Sequence, residues 1–349
     1  MKRYFGIELL RFLTSISVVL YHYRHFFGPY NSSSDLNYNG ISTSLPFFDF
    51  VKAIYEHGIF GVHVFYTISG FVFAHIYINT REKVNAKNFF INRFARLYPL
   101  HFATLILITA LQYFSFIKYN SFQIIEINDL YHFFLNIFFI SSWGFESGHS
   151  FNAPIWSVSV EVGIYIFFFL LLSSINKFRF YFVIFLSILL LIVDKMGILD
   201  TLFLECARLF FSGTLIYFLC KNAKYNLIFL FASLLLITFS FVGNFKTFLF
   251  CPSLLLFFVA VEPYIKEINI QNFFKLLGNL TYSLYLLHLP IQIMFLLLFT
   301  YLNIPDNVFT KHYFLILFFT TVIVCAYYCF KFYEKPLNEN IRKRLKDKI

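Results

Sequence analysis

Long apolar blocks separated by short polar stretches set the architecture of this chain. They run over about 7–27, 58–78, 97–117, 130–141, 157–174, 180–193, 202–220, 225–243, 247–261, 281–301 and 313–332. Most approach the roughly 20 residues that a helix needs to cross a hydrocarbon core of about 30 Å. Apolar residues fill whole blocks rather than one face, as in a helix surrounded by lipid or by other helices. The block at 130–141 is too short to cross and holds His132 and Asn136, so it is expected to be re-entrant or interfacial. The pattern predicts an all-α integral membrane protein with about ten transmembrane helices and this one short additional segment.

Charge orients the helices. Arg81, Lys83, Lys87, Arg93 and Arg96 share the loop 80–96 with Glu82. Lys177/Arg179, Lys221/Lys224 and Lys266/Lys275 mark further short loops, and the tail carries Lys335, Arg342, Lys343, Arg344, Lys346 and Lys348. With ten crossings, all of these clusters fall on one side together with Lys2 and Arg3. The net acidic loops 28–57 and 118–155 fall on the other. An eleventh crossing would invert the later clusters against the positive-inside rule. Both termini are therefore expected to be cytoplasmic. The opening stretch has the basic start and apolar run of a signal peptide, but Glu8 and Arg11 interrupt it and no small-residue cleavage site follows. It reads as a retained first helix.

Composition strengthens the membrane reading. Hydrophobic residues make up 59% of the 349 positions and charged residues 13%, against about 25% charged in soluble domains; mean hydropathy is +0.70. The net charge of +10 is spread over loops and tail, which argues for membrane orientation and against a nucleic-acid partner. The five cysteines, Cys206, Cys220, Cys251, Cys325 and Cys329, lie in or beside apolar segments without metal-ligand or redox spacing. They read as small buried hydrophobes, and no metal site is expected.

Polar residues inside the apolar blocks carry the chemistry, because lipid excludes ionisable groups that have no task. Arg11 and His22 are eleven residues apart in the first helix. At 100° per residue they share one face, about 16 Å apart along the axis. Glu8 precedes Arg11 by one turn and His25 follows His22 by one turn. Snorkelling of Glu8 and Arg11 to the inner surface is the plainer alternative. In the second block Gly58, Gly61, Ser69 and Gly70 are small enough to let helices approach closely. Arg93 and Arg96, three apart before Tyr98-Pro99, could clamp phosphates or serve simply as a basic flank. Asn152-Ala153-Pro154-Ile155-Trp156-Ser157 leads to Glu161, which stacks one turn beyond Ser157 and needs a partner; His22 lies at a plausible depth. Glu205 and Arg208 are one turn apart, close enough to neutralise each other. Ser283, Tyr285, His288 and Pro290 end the set, the proline kinking a late helix.

These segments, in this order and over nearly the whole chain, resemble the membrane-bound acyltransferase 3 family of bacterial envelope enzymes. The resemblance rests on Arg11 and His22 in the first helix, Ser69-Gly70-Phe71, and Arg93/Arg96 before Tyr98-Pro99. It continues through Trp156-Ser157-Glu161, Ser283-Tyr285-His288-Pro290 and Glu334-Lys335-Pro336. Glu8 departs from the family's usual aspartate but keeps the charge.

The resemblance implies a stand-alone enzyme with residues 1–349 as a single transmembrane acyltransferase domain and a basic tail at about 334–349. Its acyl donor would be cytoplasmic acetyl-CoA, used as substrate with no permanently bound cofactor. Its acceptor would be a sugar hydroxyl of a surface polysaccharide or lipid-linked glycan, reached from the bacterial inner membrane. Arg93, Arg96 and Arg11 would hold the donor. His22 would act as general base or as transient acyl carrier, oriented by Glu161. Glu8, Ser69, Tyr98, Trp156, Ser157, Arg208, Ser283 and His288 would support them. A glycan transporter or exporter, which also places Arg, His and Glu inside a helical bundle, is the competing class, although no internal repeat is visible.

Overall fold

The computed structural model of the protein describes residues 3–28, 44–78, 84–197, 201–220, 226–241 and 246–346. Lys2, Tyr30, Arg81, Glu82, Lys83, Lys221, Lys224 and Lys348 lie outside the described residues. The elements are helices: α1 Phe5–His22, α2 Phe48–His57, α3 Phe60–Tyr77, α4 Ala86–Tyr119, α5 Leu130–Ile137, α6 Ile155–Lys195, α7 Leu202–Cys220, α8 Asn226–Ser240, α9 Lys246–Val261, α10 Ile268–Tyr301, α11 His312–Cys329 and α12 Lys335–Lys346. Short 3-10 turns follow α1 and α9 and precede α11, and one π turn, Phe330–Glu334, joins α11 to α12.

Among the described residues, eight helices are long and apolar enough to cross a bilayer. The remaining two blocks predicted to cross are also helical. One is α8, shorter at 15 residues. The other is the second half of α6, a 41-residue run whose course is broken at Arg179 (φ 53°, ψ −127°). Unbroken, it would measure about 60 Å, twice the hydrocarbon thickness. The protein is therefore an all-α integral membrane protein. The short block at 130–141 becomes α5, eight residues or about 12 Å, too little to span. Asp129 caps it by accepting from the backbone N–H of His132 at 2.9 Å.

Three helices differ from the sequence expectation. The first is α2, which lies inside a stretch read as loop; its polar face pairs Lys52 with Glu56 one turn on. Helices α4 and α10 begin about three turns before their apolar blocks, so Arg93 and Arg96 sit on a helix and not in a loop.

The helices fall into two compact units. Unit 1 comprises Met1–Thr14, Ile59–Ala86 and Val160–Asn279. Here α3 lies against α7, with α9 on both and α8 on α9. Glycine permits the α3–α7 approach. A Cβ on Gly70 would stand 1.7 Å from the Phe210 carbonyl oxygen, and one on Gly213 1.9 Å from that of Thr67. The Thr214 hydroxyl donates to the Gly70 carbonyl at 3.2 Å. Phe73, Tyr165, Phe168 and Phe210 fill the centre, with the Phe73 and Tyr165 rings stacked at 4.4 Å. Between lipid-embedded helices such packing, rather than water exclusion, supplies the attraction.

Unit 2 comprises Ser15–Gly58, Lys87–Ser159 and Leu280–Ile349. Leu105, Ile108, Ile125, Phe151, Leu289 and Ile293 form one core. Phe26, Phe309, Phe314 and Phe318 form an aromatic cluster, in which Phe26 and Phe309 stack at 4.7 Å. The Tyr23 hydroxyl donates to the Phe309 carbonyl at 2.8 Å.

Candidate active site

The site in unit 2 is organised by a proline. Pro290 lies inside α10, where it has no N–H to give the carbonyl one turn back, that of Leu286. The Asn152 amide supplies the missing donor, at 3.1 Å from the Leu286 oxygen, and also reaches the Thr104 hydroxyl at 3.1 Å. Beside it the Tyr285 hydroxyl donates to the Pro154 carbonyl at 2.8 Å and lies 2.7 Å from the Ser157 hydroxyl. The segment leading into α6 is thereby fastened to one stripe of α10. All of these groups are buried, and a buried polar group without a partner costs about 1–3 kcal/mol.

The same stripe continues to His288 and Gln292, three and seven residues beyond Tyr285. His288 Nε2 lies 2.7 Å from His22 Nδ1, with the rings stacked at 5.0 Å and 24°. The Gln292 amide donates to the His22 carbonyl at 3.1 Å, at the last turn of α1. The tautomers follow from the far end of this chain. A carbonyl only accepts, and Leu284 O is 3.3 Å from His288 Nδ1, so that nitrogen carries the hydrogen. In the neutral pair His288 Nε2 is then an acceptor, and His22 Nδ1 must donate to it. The basic lone pair of His22 is left on Nε2. A fixed backbone oxygen thus orients one imidazole, which orients a second. This is the arrangement of a positioned general base, with histidine where other sites use a carboxylate.

Glu161 is the partner expected for His22 from its depth in the helix. Glu161 lies on α6 within unit 1, close enough to the Cys206 thiol to act on it electrostatically, as is Glu205. Within unit 2, His288 is hydrogen-bonded to the His22 ring, which also meets the rings of Tyr21 and His25. Arg93 and Arg96 are half-buried on α4. Tyr98 stacks on Phe94 at 4.6 Å. The Tyr282 and Tyr333 hydroxyls donate to the carbonyls of Leu97 and Pro99 at 2.6 and 3.2 Å. Trp156 is buried near the His149 ring. Ser283 donates to the buried carboxylate of Glu334 at 2.5 Å, which ties two of the quoted motifs together.

In unit 1, Arg11 pairs with Glu8, one turn before it on the same helix, at 3.2 Å. Glu8 also takes Arg3 at 2.9 Å, and Arg3 reaches Asn279 at 3.0 Å. Ser69 is half-buried beside Gly70. Glu205 and Arg208 each find a partner on another helix: Glu205 pairs with His63 of α3 at 3.2 Å, and Arg208 with Asp194 of α6. Gln292 escaped the sequence reading. An amide in the apolar run Leu289–Ile293, four residues after a histidine, was the available signal.

A family model described as an acyltransferase domain, of the acyltransferase 3 type, matches residues 4–329. No curated protein and no solved structure matches the chain.

Proposed function

The chain belongs to the acyltransferase 3 family, and from that premise we propose that it moves an acetyl group from acetyl-CoA to a sugar hydroxyl of a bacterial surface polysaccharide or lipid-linked glycan, working in the inner membrane. The coarser statement, a multi-pass membrane acyltransferase, follows from the family and the helices together. The finer reading is supported chiefly by the His22–His288–Leu284 chain, which leaves a basic nitrogen on a buried, oriented imidazole.

In this reading His22 Nε2 takes the proton of the acceptor hydroxyl as its oxygen attacks the thioester carbonyl. The carbon–sulfur bond breaks as the tetrahedral intermediate collapses. The proton passes from the imidazolium to the departing thiolate, giving an O-acetyl ester and free CoA. His288 accepts from His22 Nδ1 throughout and holds the ring in place. Arg93 and Arg96, with their planar donor forks, suit the phosphates of the donor.

Membranes supplied with labelled acetyl-CoA and a glycan acceptor test this. Wild type is expected to label the glycan, and His22→Ala to lose at least about 100-fold of the rate while inserting normally. The double variant Arg93→Ala, Arg96→Ala is expected to raise the acetyl-CoA concentration needed by about 10-fold or more. Full labelling by His22→Ala removes the histidine from the chemistry. Label that peptide mapping locates on His22 when acceptor is withheld makes His22 an acyl carrier instead of a base.

A further inference from the structure

A second group of side chains, outside the membrane-spanning helices, is arranged for nucleophilic chemistry. Asp129 caps α5, and the same carboxylate grips the His132 ring. His132 Nδ1 lies 2.9 Å from Oδ1 and 2.8 Å from Oδ2. The His132 backbone N–H is the main cause that holds the Asp129 carboxyl below the ordinary carboxylate range, with the ring adding to it and desolvation opposing. An ionised carboxylate only accepts, so Nδ1 carries the hydrogen.

The other ring nitrogen faces Ser147. The Ser147 backbone N–H donates to His132 Nε2 at 3.1 Å, and the Ser147 hydroxyl oxygen is 3.1 Å from the same atom. A backbone N–H can only donate, so Nε2 bears a lone pair. The tautomer is fixed from both sides, with the one lone pair of Nε2 shared between the Ser147 N–H and hydroxyl, and it is the tautomer in which imidazole can take a proton from serine. The imidazole is buried, whereas Ser147 is exposed. Two further ties already fasten this loop to α5: Tyr131 to the Phe145 carbonyl at 2.9 Å, and Asn136 to the Ser150 hydroxyl at 2.9 Å.

We propose that Ser147 is a nucleophile of this protein, activated by His132 with Asp129 as positioning residue, which takes the acyl group of a small oxygen ester and passes it to water. Ser147 Oγ bonds to the ester carbonyl carbon as its proton moves to His132 Nε2. The carbon–oxygen bond to the alcohol breaks, and the alcohol leaves with that proton. Water then attacks the acyl-serine, His132 again receiving and returning one proton, so that carboxylic acid is released and the serine restored. The site owes nothing to His22 and stands or falls separately from the transfer reaction.

The experiment uses the purified full-length His22→Ala protein in detergent, treated with a fluorophosphonate probe and mapped by peptide mass spectrometry. The expected result is covalent label on Ser147, absent in Ser147→Ala and reduced at least about 10-fold in rate in His132→Gln. Asp129→Asn separates chemistry from folding. Asparagine is as good a helix cap as aspartate, so the helix stays, but the imidazolium loses its counter-charge and the labelling rate is expected to fall about 10-fold or more. No label on the parent protein, label that survives Ser147→Ala, or an unchanged rate in Asp129→Asn would each overturn the proposal.

Discussion

A histidine ring has two nitrogens to satisfy, and inside a membrane protein water is seldom at hand to do so. At His22 the first of them is answered by another histidine, whose own hydrogen is spent on the Leu284 carbonyl. His288→Ala removes the acceptor of His22 Nδ1 and the tautomer it sets. The expected outcome is a fall of about 100-fold in kcat for the proposed acetyl transfer with little change in the donor KM. A raised KM at constant kcat would instead make His288 a binding residue. Sequence revealed the residues of this site better than their pairings. The one-turn rule found Glu8 with Arg11 because both lie on one helix. It did not show that Glu205 and Arg208 also take His63 and Asp194, which come from helices that no local spacing can see. What decides such pairs is which helices become neighbours, a property of the whole chain.

Single elements were legible to the extent that apolarity marks them. Blocks predicted to cross are helices, but α4 and α10 run on where the sequence turns polar, since a helix does not end where the lipid does. Helix α2 went unseen because it is short and half polar. Prolines were the most informative single residues. Pro290 announces an orphaned carbonyl at Leu286, and Asn152 is the residue that answers it. The pair is therefore expected to behave as a unit under mutation. Asn152→Ala alone should destabilise the detergent-solubilised protein by about 1–3 kcal/mol, the cost of a stranded acceptor. In the background of Pro290→Ala, where residue 290 regains its N–H, the same change should cost measurably less. Thermal unfolding of the four members of this cycle gives the coupling directly, and strict additivity would show that Asn152 matters for another reason.

At the scale of the whole molecule, the sequence marks the class and suggests a direction, while the grouping of helices into two units is written in contacts between distant segments. The charge pattern makes a definite statement about direction. In a chain freed of its five native cysteines, a cysteine at Lys343 or Lys177 should be shielded from a membrane-impermeant maleimide in intact cells, and one at Phe145 should react. The opposite pattern would invert the arrangement and move Arg93 and Arg96 away from a cytoplasmic donor.

The mutual seating of α3 and α7 bears on how freely the gene can drift. Gly70 meets the backbone at Phe210, and Gly213 meets it at Thr67. Every missense change in either codon adds atoms where an opposing main chain already stands, and main chain cannot rotate aside as a side chain can. The exposed sides of these helices accept almost any apolar replacement. Two positions that a hydropathy plot passes over are thus among those where inheritance has the least latitude, and a loss-of-function allele there would leave every reacting group intact.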